Sequence, residues 1–326
     1  MPEFDMLTLD CDILAKALGF PRLIEALRRG HVDGVDLVER VLLTEPGRDG
    51  AAPNHLLVWP AWRFGGHAGV KMVSVFPANP DAGKPTNTTV YVLFDGRDGR
   101  PLATLTGAAL TTMKTAADSA LAADHLARPD VRVLAVLGAG AQAPWQVAAL
   151  RAVRPALDHV LVWNRNRERG DALAVHLSAD LGISAETVAE AGTAVAAADI
   201  VTAVTGSTVP IIEGARLRPG THVDLVGGFT AAMREADDET VRRGRLWVDT
   251  RRFTLADCGD VAGPIAAGVI GPEDIVGDLF ELCRGTVPGR RDAAEITVYK
   301  NAGGGHLDLM TAIAFYERAR ANSAAP

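Results

Sequence analysis

The chain has 326 residues, room for two domains with cores of their own, and its 48% hydrophobic and 22% charged content is that of an ordinary globular protein. A formal net charge of -7 excludes the concentrated lysine and arginine footprint of a nucleic-acid binder and leaves small molecules as the expected partners. Three cysteines, Cys11, Cys258 and Cys283, are too few and too scattered for a disulfide framework and form no Cys-x-x-Cys pair, which fits a reducing cytoplasm.

The opening residues, MPEFDMLTLDCD, are acidic and have neither a basic flank nor an apolar signal core, so secretion is not expected. Residues from about 55 to 107 hold four strand-like runs, HLLVWPAW, HAGVKMVSVFP, TTVYVLF and PLATLTG, with the hairpin signal DGRDGRP between the last two. They predict a mostly antiparallel sheet. Within it Lys71 stands at the head of the apolar, β-branched run KMVSVFPANP. A buried ammonium costs several kcal/mol unless an anion or hydrogen bonds compensate it, so this lysine either reaches out to water or faces something negative.

Next, ALTTMKTAADSALAADHLA reads as a long helix leading into VRVLAVLGAGAQA. The uncharged stretch from Val133 to Leu150 is long enough to raise a membrane span, but GAGAQAP interrupts it, and strand, turn and helix start are the better reading. No membrane association is expected. Gly138, Gly140 and Ala143 form a G-x-G-x-x-A pattern between a β-branched run and a helix. The first glycine allows the tight turn, the second admits a pyrophosphate and the small third residue lets helix meet strand. Pro144 lies just inside that helix, where its missing amide hydrogen costs nothing.

The following strand ends VLVWNRNRER, about twenty residues on, where an NAD site usually places an acid for the ribose 2′-hydroxyl. Asn164, Arg165 and Asn166 stand there instead. A 2′-phosphate needs cations and donors, so NADPH is the preferred cofactor, with NADH possible. Further apolar strands, ADIVTAVT, HVDLVGG and RLWVDT, alternate with helical segments and predict a parallel sheet with helices on both faces. HLDLMTAIAFYERARA then reads as a helix returning to the first domain, and only the tail ARANSAAP is a candidate for disorder.

The segments VERVLL around Arg40, GVKMVS around Lys71, TTMKTAADSALAA around Lys114, LGAGAQA, VWNR and VGGFTAAMREAD resemble, in order and over nearly the whole chain, the ornithine cyclodeaminase/mu-crystallin family. The resemblance implies an α/β fold: a Rossmann NADP(H)-binding domain, 116–303, and a smaller, non-contiguous α+β substrate-binding and dimerisation domain, 1–115 plus 304–326. It implies a homodimer, and a substrate carboxylate surrounded by Arg40, Lys71 and Lys114, with the nicotinamide pocket above Lys71. Cofactor contacts are implied at Thr86, Asn87, Lys114, Gly138, Ala139, Gly140, Ala141, Gln142, Asn164, Arg165, Asn166, Ala203, Thr205, Gly206, Val226 and Asn301.

Near the start of its helix, Lys114 would add its charge to amide hydrogens that attract anions. Relatives more usually have arginine there, and lysine offers a point charge in place of a planar, two-pronged grip. Members that cyclise ornithine carry an aspartate directly after the paired glycines, where this chain has Phe229, which can neither take a proton nor hold an amine.

Cyclodeamination needs a base and a polar grip on the δ-amine, whereas reduction of a cyclic ketimine needs hydride at C2, a protonated ring nitrogen and a cationic clamp, with Lys71 the catalytic candidate. The expected activity is therefore a NAD(P)H-dependent ketimine reductase acting on a small cyclic imino acid. Asp224 lies within a strand and Asp237 several residues past the turn, so neither is expected to replace the missing aspartate. The alternatives are an ornithine cyclodeaminase, an alanine-type amino-acid dehydrogenase and a non-catalytic, NADPH-dependent binding protein. The eight histidines show no metal-binding spacing, and no G-x-S-x-G elbow is present.

Overall fold

The structure is a computed structural model of the single chain and describes residues 6–47 and 52–323, save the side chains of Ala256 and Ser323. The described residues divide into two compact units, one running to Lys114 and resuming at Gly304, the other Thr115–Gly303.

The first unit holds six strands, β1 (Leu7–Asp10), β2 (Val41–Glu45), β3 (Asn54–Arg63), β4 (His67–Val75), β5 (Asn87–Asp95) and β6 (Pro101–Thr106), in the order β1-β6-β5-β4-β3-β2. Pairing is antiparallel from β2 to β6 and parallel between β1 and β6. At the β5–β6 turn Asp95 accepts from the amide and guanidinium of Arg97, which closes the hairpin expected at DGRDGRP. The helices α1 (Cys11–Leu18) and α2 (Phe20–Asp33) were not anticipated from the sequence. Asp10 caps α1 through the amides of Asp12 and Ile13.

The C-terminal helix, Gly305–Ser323, packs on α1, α2 and the strands β3 to β5, as its apolar run predicted. It continues through the first part of the tail read as a candidate for disorder, whose last three residues lie outside the described ones. Glycine is needed at its start, because a Cβ on Gly305 would fall 2.8 Å from the Pro60 carbonyl oxygen and 2.9 Å from the Trp59 ring. Across the covered face Trp59, Lys71 and Tyr91 stand directly opposite one another on β3, β4 and β5. Cross-strand partners share a face, so the helix covers a row that contains the lysine.

The chain enters the second unit within α3 (Ala109–Leu126). Eight strands follow: β7 (Val133–Leu137), β8 (His159–Trp163), β9 (Ser184–Thr187), β10 (Ile200–Ala203), β11 (His222–Leu225), β12 (Arg245–Val248), β13 (Ile275–Asp278) and β14 (Thr297–Lys300). All pair in parallel, in the order β13-β12-β14-β11-β10-β7-β8-β9. Between them run α4 (Ala143–Val153), α5 (Arg167–Leu181), α6 (Ala191–Ala197), α7 (Asp238–Arg243), α8 (Arg251–Asp257), α9 (Gly259–Ala266) and α10 (Leu279–Arg284). Alternate residues of β7 enter two apolar layers, Leu134 and Val136 in one, Ala135 and Leu137 in the other, so both faces of the sheet are buried. The strand order reverses between β7 and β10, the place where a doubly wound sheet opens a crevice at its carboxyl edge. Strands β9, β13 and β14 are short and were not singled out in the sequence.

Candidate active site

At the reversal point the first glycine of the fingerprint, Gly138, follows β7 with φ of 108°, a conformation that favours glycine. A Cβ there would stand 2.8 Å from the Val204 carbonyl oxygen, whereas one on Gly140 would meet no protein atom within 4 Å, so that backbone is open to a ligand. Ala143 is buried in the layer beneath, and Pro144 sits in the first turn of α4. Gln142 precedes α4, and the Ala143 amide donates to the Gly140 carbonyl at 3.0 Å, which closes the glycine turn on the start of the helix.

A cavity of about 420 Å³ opens here, lined by Gly138, Ala139, Gly140, by Asn164, Arg165 and Asn166 after β8, and by Thr205 and Gly206 after β10. These features fit a dinucleotide. Asn164 braces the turn by accepting from the Ala139 amide at 3.1 Å and donating to the Asn166 carbonyl at 2.7 Å. Arg169, not foreseen, also lines the cavity, and neither it nor Arg165 enters an ion pair among the described residues.

The other expected cofactor residues are distributed differently. Ala141 is exposed, and Gln142 is half-buried with its amide donating to Gln146 at 3.2 Å. Ala203 is buried at the end of β10, and its carbonyl accepts from Val226 at 3.0 Å. Asn301 is buried, with its side-chain amide donating to the Thr115 carbonyl and to Ser119 Oγ at 2.9 and 3.0 Å. Thr86 and Asn87 belong to the first unit, where the Thr86 carbonyl accepts from Phe76 and Asn87 opens β5.

In the first unit the charge on Lys71 is answered from within the chain. Its Nζ lies 2.6 Å from Asp308 Oδ2, and Asp308 Oδ1 is 3.1 Å from Lys114 Nζ. Asp308 is wholly buried, and Lys71 and Lys114 are 5% and 4% exposed. Burial works against ionisation of Asp308, yet the two ammoniums outweigh it and hold the carboxyl below its ordinary value. Burial also lowers Lys71; Asp308 opposes that shift, while Lys114 and Arg40 add to it. Lys71 Nζ lies 5.4 Å and the Arg40 guanidinium carbon 5.5 Å from the centroid of the Trp59 ring, which draws the exposed arginine to the same locality.

Two corrections follow. Sequence reasoning assigned compensation of Lys71 to a bound carboxylate and overlooked Asp308, although a lone acid in HLDLMTAIAF is the same anomaly as a lone lysine in an apolar strand. Lys114 was expected to reinforce amides at a helix start, but it lies in the second turn of α3, and the Ala108 and Ala109 amides donate instead to Asp12, at 3.2 and 2.7 Å.

The candidate substitutes for a catalytic aspartate have other partners. Asp224 is fully buried, accepting from Ser119, Gln146 and Thr202 at 2.8, 3.0 and 2.6 Å. Burial pushes it up to about 6, against those three donors and Lys300. Asp237 caps α7 through Thr240 and also accepts from the Gly214 amide. Phe229 is 56% exposed. Among the described residues no group of three or more histidine, cysteine or acidic side chains is disposed to hold a metal, and no helix is long and apolar enough to cross a membrane.

A glycine cradle at the reversal of a parallel sheet is that of a dinucleotide-dependent enzyme. The chain belongs to the ornithine cyclodeaminase/mu-crystallin family, whose model matches residues 20–323. It is 42% identical over 291 residues to a Delta(1)-pyrroline-2-carboxylate reductase of Paracoccus denitrificans (strain Pd 1222), with 89% of each chain covered. Among solved structures it is similar to Thermococcus litoralis Delta(1)-pyrroline-2-carboxylate reductase in complex with NADH and L-proline, at TM-score 0.89, 31% identity and 98% coverage of both chains. An archaeal alanine dehydrogenase dimer with bound NAD matches at TM-score 0.86 and 26% identity, again over 98% of both chains.

Proposed function

We propose that this protein is a NAD(P)H-dependent reductase of cyclic ketimine carboxylates, taking 1-pyrroline-2-carboxylate to L-proline and 1-piperideine-2-carboxylate to L-pipecolate. The observation that carries the reading is that two buried ammoniums, Lys71 and Lys114, share one carboxylate, Asp308. One positive charge is left over to receive a substrate carboxylate, with Arg40 nearby across Trp59. Two of the named relatives are reductases of Delta(1)-pyrroline-2-carboxylate, and one of them is in complex with NADH and L-proline.

Gly138, Gly140, Asn164 and Thr205 would hold a nicotinamide dinucleotide, which would supply the hydride for the imine C2. Lys71 Nζ, made more acidic by burial, donates a proton toward the ring nitrogen, while Lys114 and Arg40 orient the carboxylate. Asp308 keeps Lys71 charged between turnovers. Phe229 offers no group to grip a δ-amine, which argues against cyclodeamination.

NADPH is the preferred cofactor in this reading. Arg165 and Arg169 line the cavity at the end of β8, and the sequence there, WNRNR, carries no acid that would repel a 2′-phosphate. The protein is a homodimer in the cytoplasm, formed through the first unit, where Val41, Leu42 and Leu43 on the edge strand β2 are each more than half exposed. That the archaeal relative is a dimer supports the homodimer.

The test follows NADPH absorbance with 1-pyrroline-2-carboxylate, 1-piperideine-2-carboxylate, and pyruvate with ammonia, and ammonia release from L-ornithine with NAD. Oxidation of NADPH by the cyclic imines alone is expected. Ammonia from ornithine, or faster turnover of pyruvate with ammonia, would sink the proposal.

A further inference from the structure

The loop after β11 carries Gly227, Gly228 and Phe229, and two buried acids shape it. Glu235, wholly buried, accepts from the Thr205 amide and hydroxyl through Oε1 at 2.6 and 2.9 Å, and from the Gly227 amide through Oε2 at 2.7 Å. Its own amide and that of Ala236 donate to Asp260 Oδ1 at 2.6 and 3.1 Å, and Asp260 Oδ2 lies 3.3 Å from Lys300 Nζ. The paired glycines follow from this crowding. A Cβ on Gly227 would fall 1.8 Å from the Thr205 carbonyl oxygen and 2.5 Å from Glu235 Oε1; one on Gly228 would fall 2.4 Å from Asp260 Oδ2.

Thr205 lines the cofactor cavity, and Gly227 lies two residues before Phe229 in the loop after β11. We infer that Glu235 is a positioning residue for the cofactor: one carboxylate oxygen to each loop, it holds the turn after β10 against the turn after β11 in the arrangement that binds a nicotinamide dinucleotide. The inference rests on the cofactor part of the proposed function and not on the substrate.

The chemistry demands a carboxylate. Both oxygens face N–H donors, so a group with only one acceptor oxygen must turn a donor toward a donor and lose one of the two loops. Glutamine does this, and so does protonation. Burial pushes Glu235 up to about 7; the Lys300 ammonium on β14 opposes that shift, Asp260 on α9 adds to it, and the Thr205 and Gly227 amides oppose it. Cys258, beside Lys300, is pushed up to about 12 by burial and stays a thiol across this range, and Arg234 is paired with Asp238 at 2.8 Å. Cofactor binding, which uses the deprotonated arrangement, therefore weakens as the pH falls through neutrality.

NADH is the probe, because the 2′-phosphate of NADPH titrates near pH 6 itself. Its dissociation constant is measured by fluorescence titration on the intact protein from about pH 8.5 to about pH 5.5, without substrate, for wild type, Glu235→Gln and Glu235→Asp. Wild-type affinity is expected to fall about tenfold over this range, and Glu235→Gln to bind about tenfold more weakly at the alkaline end, with little further change on acidification. Glu235→Gln with wild-type affinity, or with the wild-type pH slope, overturns the inference, as does a flat wild-type profile. Should Glu235→Gln not fold, Glu235→Asp decides: with both oxygens on a shorter arm it should bind NADH more weakly and keep the slope, and unchanged affinity overturns the inference. Failure to turn over cyclic imines leaves this titration unaffected, so the two readings fail separately.

Discussion

Asp308 Oδ2 lies 2.6 Å from Lys71 Nζ, joining the C-terminal helix to the middle of the first sheet through a buried ion pair that also takes in Lys114. Removing one partner from such a cluster leaves uncompensated charge in a water-excluded place, and this dictates several outcomes.

Asp308→Ala should lower the unfolding free energy by about 3 to 5 kcal/mol, because two ammoniums are left buried together. In the wild type the folded carboxyl lies below its ordinary value of 3.8, so its contribution is present above that value and is lost as the pH falls through the folded one. Urea titrations of wild type and Asp308→Asn at neutral and acidic pH should therefore converge as acid is added. A constant difference would show that the pair does not stabilise the fold through charge.

Lys71→Met, similar in length but uncharged, should depress kcat by about two orders of magnitude with NADH affinity nearly intact. Since burial lowers Lys71 below 10.5, the wild-type rate should decline on the alkaline side at a pH below that value, and this limb should be missing in the variant. In Asp308→Asn it should move to lower pH, because the carboxylate that favours the ammonium is gone. An unaltered kcat in Lys71→Met would reduce the lysine to a counter-ion of Asp308.

The proposed clamp should divide by burial. Arg40→Ala, at an exposed position, is expected to raise KM by at least tenfold, the loss of a charge-assisted contact of about 1.5 to 3 kcal/mol, with little change in melting temperature. Lys114→Ala should raise KM and also lower the melting temperature, since Asp308 loses a partner. Lys114→Arg keeps the charge and should shift substrate preference. Wild-type kinetics in both alanine variants would mean the substrate carboxylate binds elsewhere.

Arg165→Ala should weaken NADPH far more than NADH, since only the former carries a 2′-phosphate. Binding titrations with both nucleotides decide, and equal losses would remove Arg165 from cofactor discrimination.

Much of this molecule was legible along the chain because its signals are local. Gly138, Gly140 and Ala143 announce a cofactor cradle through backbone requirements met within one strand-turn-helix unit, and the strand runs of β3 to β8 and the C-terminal helix show their periods directly. The short strands β9 and β14, four residues each, carry too few side chains for a period to emerge, and their neighbours in the sheet select them. Charge was harder to read. Lys71 marked itself as anomalous, but its partner lies at the far end of the sequence, and Glu235 stands among the charges of MREADD, where nothing distinguishes a wholly buried carboxylate from a solvated one. An ionised side chain is defined energetically by what has displaced its water, and that is settled only when distant segments pack together. The sequence by itself thus determined where a dinucleotide cradle lies and marked Lys71 as an anomalous charge, while the tertiary structure alone decided that Asp308 joins Lys71 to Lys114 and that Glu235 ties two loops, because desolvation makes such pairings compulsory only in the folded chain.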